Sequence, residues 1–358
     1  MDMLATLNPA QREAVLAVEG PVLVLAGPGS GKTRVLTHRI AHMVRQRGIS
    51  PFRILAVTFT NKAAREMLVR LEQLLGATRG LTVGTFHAFC ARLLRQEAEA
   101  AGISRNYVIL DADEQIQLVT RLAKRLQLDP KQYPPRSIQS AISQAKNASK
   151  LVADYQAPTY WHEAVARVWQ QYEEIKESTG ALDFDDLLVL SERLLRDNAE
   201  VRARYQDRYA YILVDEFQDT NRVQYELIRH LGGERRNVFV VGDEDQSIYS
   251  WRGADWRNVA RFRSDYPDAR TYLLEQNYRS TRTILDAAQA VIARNAQRTD
   301  KTLWTENGNG GPIRLFEAFE ESSDQAKERL PMRVLEWLSN PWCCKSEHEA
   351  EEPGNCKV

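Results

Sequence analysis

The strongest chemical signal in the sequence is the segment AGPGSGKT at positions 26–33, which follows an apolar run and precedes a helical stretch. Glycines in such a loop let backbone N–H groups surround phosphate oxygens, and the positive end of the next helix favours anions. Lys32 would place its charge on the β- and γ-phosphates of a nucleotide, and the Thr33 hydroxyl would bind Mg²⁺. Ala26 stands where the GxxxxGKT pattern has its first glycine, and a small residue still permits the tight turn. The segment therefore predicts a nucleoside triphosphate site rather than a glycine-rich turn that binds nothing.

An acidic pair ends a second apolar run, YILVDEFQDT at 211–220. Asp215 would hold Mg²⁺, directly or through water, and Glu216 would orient and deprotonate the attacking water. Alone, such a pair would more often be an ordinary acidic turn after a strand. Together with the phosphate loop it predicts nucleotide hydrolysis, and the long separation between Lys32 and Asp215 predicts an insertion between them.

Aromatic and cationic side chains crowd the polar segment VGDEDQSIYSWRGA at 241–254. Tyr249, Trp251 and Arg252 could stack on unpaired bases and contact phosphates, which is sequence-independent binding of single strands. The same residues could pack at a domain interface, but ATP chemistry beside them favours nucleic acid. His87 in GTFHAFC has no second histidine at a metal-binding spacing, so a structural or DNA-contacting role is expected.

Short apolar runs and helical stretches alternate along much of the chain. The runs lack strict alternation of polar and apolar residues, which is typical of strands buried on both faces of a parallel sheet. They are PVLVLA (21–26), RILAVTF (53–59), LTVGTF (81–86), YILVDE (211–216), NVFVVGD (237–243) and TYLLEQN (271–277). Helices are predicted over 32–46, 61–75, 86–100, 221–231 and 280–295. The pattern predicts an α/β fold with helices on both faces of the sheet.

One interval, from about 100 to 207, contains no convincing strand and reads as an inserted all-helical domain. Its helical segments are 111–126, 137–149, 159–178 and 183–197. The breaks at Tyr133-Pro134-Pro135 and Thr179-Gly180 separate them.

Composition supports an ordinary soluble protein. The 358 residues include 48 basic and 48 acidic side chains and are 43% hydrophobic, which excludes collagenous and wholly disordered chains. Neither a signal peptide nor a membrane span is evident, so a cytoplasmic protein is expected. Cys90 is expected to be a small buried side chain. The other cysteines, Cys343, Cys344 and Cys356, lack metal-binding spacing, which makes a zinc site improbable.

Eight motifs in this order resemble the UvrD/PcrA/Rep type of superfamily 1 DNA helicases, over about residues 4–326. They are LNPAQREAV, AGPGSGKT, TFTNKAA, GTFHAFC, LDFDDLL, DEFQDTN, VGDEDQSIYSWRGA and LEQNYRST. The resemblance implies a P-loop, RecA-like motor that uses ATP and Mg²⁺ to move 3′ to 5′ along single-stranded DNA. It also implies unwinding at single-strand/duplex junctions, in repair or replication.

The resemblance also assigns roles to residues. Gln11 would read the adenine, Tyr278 would stack on it, and Arg279 would be an arginine finger. Arg34 and Gln246 would approach the phosphates. The implied nucleotide contacts are Gln11, Ala26, Gly27, Pro28, Gly29, Ser30, Gly31, Lys32, Thr33, Arg34, Tyr278 and Arg279, with Thr33 and Asp215 on Mg²⁺. Those placed in catalysis are Lys32, Asp215, Glu216, Gln246 and Arg279. The implied DNA contacts are Phe59, Asn61, Phe86, His87, Tyr249, Trp251 and Arg252.

The resemblance also predicts the domain organisation. A first motor domain would comprise 1–98 and 201–275, and its helical insert 99–200. A second RecA-like domain would begin at 276–326 and be cut short, followed by an unmatched and disordered tail, 327–358. We therefore expect the chain to bind DNA, to bind ATP with Mg²⁺ weakly, to hydrolyse ATP poorly and not to unwind duplex DNA. The alternatives are a non-motor fragment that binds nucleotide and single-stranded DNA with little turnover, and a P-loop ATPase unrelated to DNA.

Overall fold

The structure is a computed structural model that describes residues 3–249, 253–295 and 299–313. The chain divides into two units. The first comprises the residues up to 26 and residues 31–274, and the second comprises residues 27–30 and those from 275 on. Trp251, Arg252, the segment 314–326 and the predicted tail 327–358 with its three cysteines lie outside the described residues.

The first unit is built on a parallel six-stranded sheet with the order β3-β2-β6-β7-β1-β8. The paired strands run in register, with Leu23 of β1 opposite Val240 on one side and Thr271 on the other. All six strands coincide with the predicted apolar runs, so the α/β prediction is confirmed. The strands are β1 Val22–Ala26, β2 Ile54–Thr58, β3 Thr82–Thr85, β6 Tyr211–Val214, β7 Val238–Gly242 and β8 Arg270–Leu274.

Helices cover both faces of this sheet. Leu23 and Leu25 of β1 point into one hydrophobic core, whereas Val22 and Val24 point into the other. Because successive side chains of a strand alternate between faces, burial on both sides makes β1 continuously apolar. Helices α1 Pro9–Leu16, α2 Lys32–Arg45 and α3 Asn61–Leu75 cover the second core. Helices α4 Phe86–Gln96, α8 Phe184–Asp197, α9 Ala199–Arg208, α10 Arg222–Gly232 and α11 Asn258–Asp265 cover the first.

The insertion between β3 and β6 has a hydrophobic core of its own. Helices α5 Ala112–Arg125, α6 Pro135–Asn147 and α7 Tyr160–Thr179 pack around the buried Trp169 and Tyr172. The interval is not wholly helical, which corrects the expectation of no strand there. Two short strands, β4 Val108–Ile109 and β5 Ala181–Leu182, pair in parallel. Strands of two residues are too short to leave a periodic pattern, which is why the sequence did not predict them.

A buried ion-pair network ties α6, α7 and the start of α8 together. Lys146 Nζ lies 2.7 Å from Asp183 Oδ2 and 2.6 Å from Asp186 Oδ1. Lys176 Nζ lies 3.2 Å from the same Asp183 oxygen, and Glu173 contacts both lysines at 2.8 Å. Although burial disfavours charge, the three carboxylates hold the pKa of Lys146 well above its usual range. The two lysines occupy the space between these acids, so the cluster holds cationic side chains rather than requiring a metal ion.

In the second unit, Asn277 organises the backbone. Its side chain donates to the Pro28 carbonyl at 2.6 Å and accepts from the N–H groups of Arg279 and Ser280 at 2.8 and 2.7 Å. Helix α12, Arg282–Ile292, follows this turn.

Two further expectations concern burial and membranes. Cys90 is fully buried in α4, as predicted, and burial raises the pKa of its thiol to about 12. None of the helices within the described ranges is both long and apolar enough to cross a membrane.

Candidate active site and nucleic-acid groove

The carboxyl ends of β1, β6 and β7 bring three of the predicted catalytic residues together. Lys32, the first residue of α2, places Nζ 3.2 Å from Glu216 Oε2 and 3.2 Å from Gln246 Oε1. Ligands bind at this edge of open parallel sheets, because the loops there are free to diverge. The sequence separates Lys32 from Gln246 by most of the chain, and the strand order 6-7-1 places them side by side.

Burial and charge act in opposite directions on Lys32. Burial disfavours its charged form, but the carboxylates of Glu216, Asp243 and Asp215 raise its pKa above the ordinary value. The pKa of Asp215 is also raised, to about 7, because burial and the neighbouring Glu216 disfavour its ionised form more than Lys32 favours it. The carboxylates of Glu216, Asp243 and Asp215 therefore share the single ammonium group of Lys32. Added positive charge at this position, such as a divalent cation, would relieve their mutual repulsion.

Asp215 and Thr33 supply oxygen atoms suited to Mg²⁺. The Thr33 hydroxyl donates to Asp215 Oδ2 at 3.4 Å, and the Asp215 backbone N–H donates to the Val57 carbonyl at 2.9 Å. Mg²⁺ prefers hard oxygen ligands and keeps several water molecules, so one hydroxyl and one carboxylate are an adequate protein contribution. The donor set therefore fits the predicted metal.

Glu216 is held in an unusual backbone conformation. Its φ of 50° lies in the left-handed region, which residues other than glycine adopt at a cost. Gln218 donates to Glu216 Oε2 at 2.9 Å and accepts from the Asp243 N–H at 2.9 Å. Gln246 in turn donates to Asp243 Oδ2 at 2.6 Å. The network therefore links Lys32, Glu216 and Gln246. Its two connecting residues, Gln218 and Asp243, were not predicted as site residues, although they lie within the motifs DEFQDTN and VGDEDQSIYSWRGA.

Gln11 and Arg34, two predicted nucleotide contacts, also have structural partners. The Gln11 side chain accepts from the Asn8 N–H at 3.2 Å, and Asn8 accepts in return from the Gln11 N–H at 2.8 Å. This reciprocal capping begins helix α1. Gln11 also approaches Gly31, where an added Cβ would meet its Nε2 at 2.9 Å. Arg34 donates to the Thr6 carbonyl at 2.9 Å.

The second unit contains the predicted nucleotide residues Gly27, Pro28, Gly29, Ser30, Tyr278 and Arg279, whereas Ala26 and Gly31 belong to the first unit. The Gly29 carbonyl accepts from the Tyr278 N–H at 3.0 Å, and the Ser30 hydroxyl donates to the Gly27 carbonyl at 2.7 Å. Tyr278 is 45% exposed, and its hydroxyl donates to Gln276 at 2.7 Å.

A cavity of about 480 Å³ opens within the first unit, between the sheet edge and the helical insertion. The sheet side contributes Thr58, Phe59, Thr60, Phe86 and His87. The insertion contributes one polar face of α6, formed by Gln139, Ser140, Ser143, Gln144 and Asn147. Asp185, Leu188, Asp219, Asn221 and Gln224 complete the lining. We call this cavity the groove.

Aromatic rings lie along the groove. Phe59 stacks on Tyr249 with ring centroids 5.1 Å apart and an interplanar angle of 25°. His87 contacts Phe184 edge-on at 6.0 Å, and burial lowers the pKa of His87 below its ordinary value. Phe184, 46% exposed although apolar, is an aromatic residue that the sequence reasoning did not single out within LDFDDLL. Flat side chains that are partly exposed are suited to stacking on bases.

Three further residues, Asn61, Trp251 and Arg252, were predicted to contact DNA. Asn61 is exposed at the start of α3, where the Thr60 hydroxyl accepts from the Ala63 N–H at 3.1 Å and caps the helix. Trp251 and Arg252 lie outside the described residues, so their predicted role stays a prediction.

The groove also meets the nucleotide-handling segment through Asn147. This residue donates to Asp185 Oδ1 at 3.0 Å and accepts from Asn221 Nδ2. Asn221 follows DEFQDT directly and caps α10. One side chain of the insertion therefore contacts the segment that carries Asp215 and Glu216.

Comparison with known proteins identifies relatives over most of the chain. The UvrD/REP helicase N-terminal domain matches residues 7–267, and the UvrD-like helicase C-terminal domain matches residues 272–330. The ATP-dependent DNA helicase PcrA of Leuconostoc citreum is 48% identical over 322 residues, which are 89% of this chain and 43% of that protein. PcrA of Staphylococcus aureus strain Mu50 is 47% identical over 325 residues, covering 90% and 44%. The chain thus spans less than half the length of these relatives.

Proposed function

Because the chain belongs to the UvrD/REP helicase family, we propose that it is the ATP- and DNA-binding part of an ATP-dependent 3′–5′ DNA helicase. The observation that carries this proposal is the contact of Lys32 with both Glu216 and Gln246. It brings a phosphate-binding cation, a carboxylate able to act as a base and a polar relay to one sheet edge.

In the proposed reaction, Lys32 binds the β- and γ-phosphates and Glu216 orients and deprotonates the attacking water. Thr33 and Asp215 would hold Mg²⁺, which supplies positive charge to the phosphates. Gln246 contacts Lys32 and begins the loop that leads to Tyr249, so it is placed to relay the state of the nucleotide. Arg279 would complete the charge around the γ-phosphate as an arginine finger.

The groove is the proposed path of single-stranded DNA. Phe59, Phe86 and His87 line this groove together with the polar face of α6, and Tyr249 stacks on Phe59, so aromatic rings are available along the proposed path. Phosphate contacts would come from Arg252 and from Asn61. Binding at single-strand/duplex junctions and a role in repair or replication are implied by the family, as is a cytoplasmic location.

We further propose the domain boundaries that the motifs imply: a motor domain over 1–98 and 201–275, an insert over 99–200, and the start of a second motor domain over 276–326. The 358-residue polypeptide alone should hydrolyse ATP slowly and not unwind duplex DNA. A complete second motor domain supplies further charge to the phosphates, and an arginine finger alone can be worth about 10³-fold or more in rate.

The test is a comparison of ATP hydrolysis, with and without single-stranded DNA, by this chain and by a version extended through a complete second motor domain. DNA should stimulate both, the extended version should be faster, and Lys32→Ala should abolish hydrolysis in both. Equal rates, or strand displacement by the 358-residue chain that is lost in Lys32→Ala, would show that the proposed dependence on the second domain is wrong. Binding of nucleotide and DNA without stimulated turnover in either version would favour a non-motor binding module.

A further inference from the structure

Arg39 is a buried arginine that none of the proposed contacts with nucleotide or DNA uses. It lies on α2, the helix that begins with Lys32, and is 2% exposed. Its Nη1 donates to the Ala14 carbonyl at 3.0 Å, and its Nη2 donates to the Val18 carbonyl at 3.0 Å. The guanidinium carbon lies 4.2 Å from the ring centre of Phe239, in β7. Because a charged side chain is rarely buried without a partner, the two carbonyls and the ring are what hold the guanidinium in place.

The carbonyl of Ala14 belongs to the last turn of helix α1, Pro9–Leu16. The last four carbonyls of a helix have no partner within it, and the negative end of the helix dipole favours a cation there. The last turn of α1 contains no basic residue of its own. A helix of 8 residues is also marginal without contacts from the rest of the fold. Arg39 therefore caps, from α2, the short helix that carries Gln11.

Helix α2 and the loop before it contact α1 and its flanking residues at three places. Arg34 donates to the Thr6 carbonyl at 2.9 Å, just before α1. Gly31 lies so close to Gln11 that an added Cβ would meet Gln11 Nε2 at 2.9 Å. Arg39 holds the other end of α1. Along the chain, Gln11 therefore lies between the two segments that these arginines bind.

We propose that Arg39 is a positioning residue, which holds α1 against α2 so that Gln11 meets the adenine while Lys32 binds the phosphates of the same nucleotide. This inference rests on the proposed function and on the adenine contact that the family resemblance implies for Gln11. Arg39 is too buried to touch the nucleotide, and its terminal nitrogens already donate to carbonyls. Its loss should therefore weaken recognition of the adenine and spare the contacts of the phosphates.

The test compares ATP with GTP, which share the triphosphate and differ at the edge of the purine. Competition of each nucleotide, with Mg²⁺, against a fluorescent ATP analogue gives the ratio of the two dissociation constants. The unaltered chain should prefer ATP. Arg39→Met keeps the bulk of the side chain but removes its charge and donors. It should lower the preference roughly fivefold, as suits the loss of one hydrogen bond to the base, with the affinity for GTP nearly unchanged.

Two further variants complete the comparison. Arg39→Lys keeps a cation but not the planar fork that bonds two carbonyls at once, so it should give an intermediate preference. Arg47→Met, at an exposed arginine shortly after α2, is the matched control and should change neither dissociation constant. Thermal unfolding of each variant records any loss of stability separately.

A double-mutant cycle distinguishes positioning from general stabilisation. Gln11→Ala should remove the preference for ATP. If Arg39 acts through Gln11, adding Arg39→Met to Gln11→Ala should cause no further loss of preference, so the two effects are not additive. A merely structural arginine would instead weaken ATP and GTP binding alike, and its effect would add to that of Gln11→Ala.

The outcomes separate this inference from the proposed function. An ATP preference that survives in Arg39→Met, or equal weakening of both nucleotides, would overturn the positioning role while leaving nucleotide binding intact. An ATP preference that survives in Gln11→Ala would overturn the adenine contact and this inference with it. Absence of ATP binding by the unaltered chain would instead count against the proposed function. If Arg39→Met does not fold, Arg39→Lys decides, and an unchanged preference in that variant would overturn the inference.

Discussion

The ammonium nitrogen of Lys32 lies 3.2 Å from a carboxylate oxygen of Glu216, so the proposed phosphate-binding cation is paired with the proposed base. Bound phosphate must compete with this carboxylate for Lys32. Glu216→Gln keeps the side-chain shape but removes the competing charge and the base. We expect ATP to bind several-fold more tightly, while DNA-stimulated hydrolysis falls by about 10²-fold or more.

Equilibrium binding of a fluorescent ATP analogue and a steady-state hydrolysis assay measure the two effects. Glu234→Gln, at an exposed acid after α10, is the matched control and should alter neither quantity. If Glu216→Gln weakened nucleotide binding, the carboxylate of Glu216 would not be competing with phosphate for Lys32.

The central sheet could be predicted from the sequence because strands buried on both faces carry continuous apolar runs. Helix α9 was not predicted because its only buried side chains are Val201 and Tyr205, which leave little periodicity. Helix α1 was not predicted either, although it carried a signal, since Asn8 and Gln11 form a capping box three residues apart. The two-residue strands β4 and β5 left no recognisable pattern in the sequence.

The candidate site likewise has a part that could be predicted from the sequence and a part that could not. The motifs themselves singled out Lys32 and Glu216, the family resemblance added Gln246, and the sheet order brings the three into contact. The polar face of α6 could not be predicted as part of the groove. Serines, glutamines and asparagines on one face of a helix ordinarily mean exposure to solvent, and only the tertiary fold places this face opposite Phe59.

The buried network around Asp183 should be essential for the stability of the helical insertion. Asp183 accepts from Lys146, Lys176 and the Tyr172 hydroxyl, and it caps α8 through the Asp186 N–H at 2.9 Å. Asp183→Ala would leave two buried ammonium groups with fewer partners. Removing one member of a buried ion pair typically costs about 3–5 kcal/mol.

Urea unfolding, together with amide hydrogen exchange in α6 to α8, measures this loss. Asp197→Ala, which removes an exposed carboxylate paired with Arg196 at 2.9 Å, is the control and should have little effect. Equal destabilisation by the two variants would contradict the central role of Asp183.

Binding of single-stranded DNA should strengthen as the pH falls. Burial and the neighbouring Glu216 raise the pKa of Asp219 to about 7, and burial and Asp183 raise the pKa of Asp185 to about 6. Both carboxylates are ionised above these values and neutral below them, so acidification removes negative charge from the groove. His87 adds little charge until lower pH, because burial lowers its pKa.

The measurement is the affinity for a thymidine oligonucleotide between about pH 8.5 and pH 5.5 at constant ionic strength. Affinity should rise on acidification, because protonation of Asp219 and Asp185 removes negative charge that repels the phosphates of the strand. Asp219→Asn combined with Asp185→Asn should flatten the profile. A profile unchanged in that double variant would show that other groups control the pH dependence.

The phosphate loop should tolerate no side chain at Gly29. Its φ is +65°, and an added Cβ would lie 2.6 Å from Arg279 Cβ and 2.9 Å from Asn277 Nδ2. Gly48 has the same φ of +65° but nothing within 4 Å, so Gly48→Ala isolates the cost of backbone strain. That strain amounts to about 1–2 kcal/mol for a residue with a Cβ. Gly29→Ala adds steric overlap with the turn around Asn277, so it should also weaken nucleotide binding, by roughly tenfold or more.

Thermal unfolding and titration with the ATP analogue, applied to both variants, separate the two effects. Both proteins should lose stability, and only Gly29→Ala should lose nucleotide affinity. Unchanged affinity in Gly29→Ala would mean that the loop can rearrange around the new methyl group.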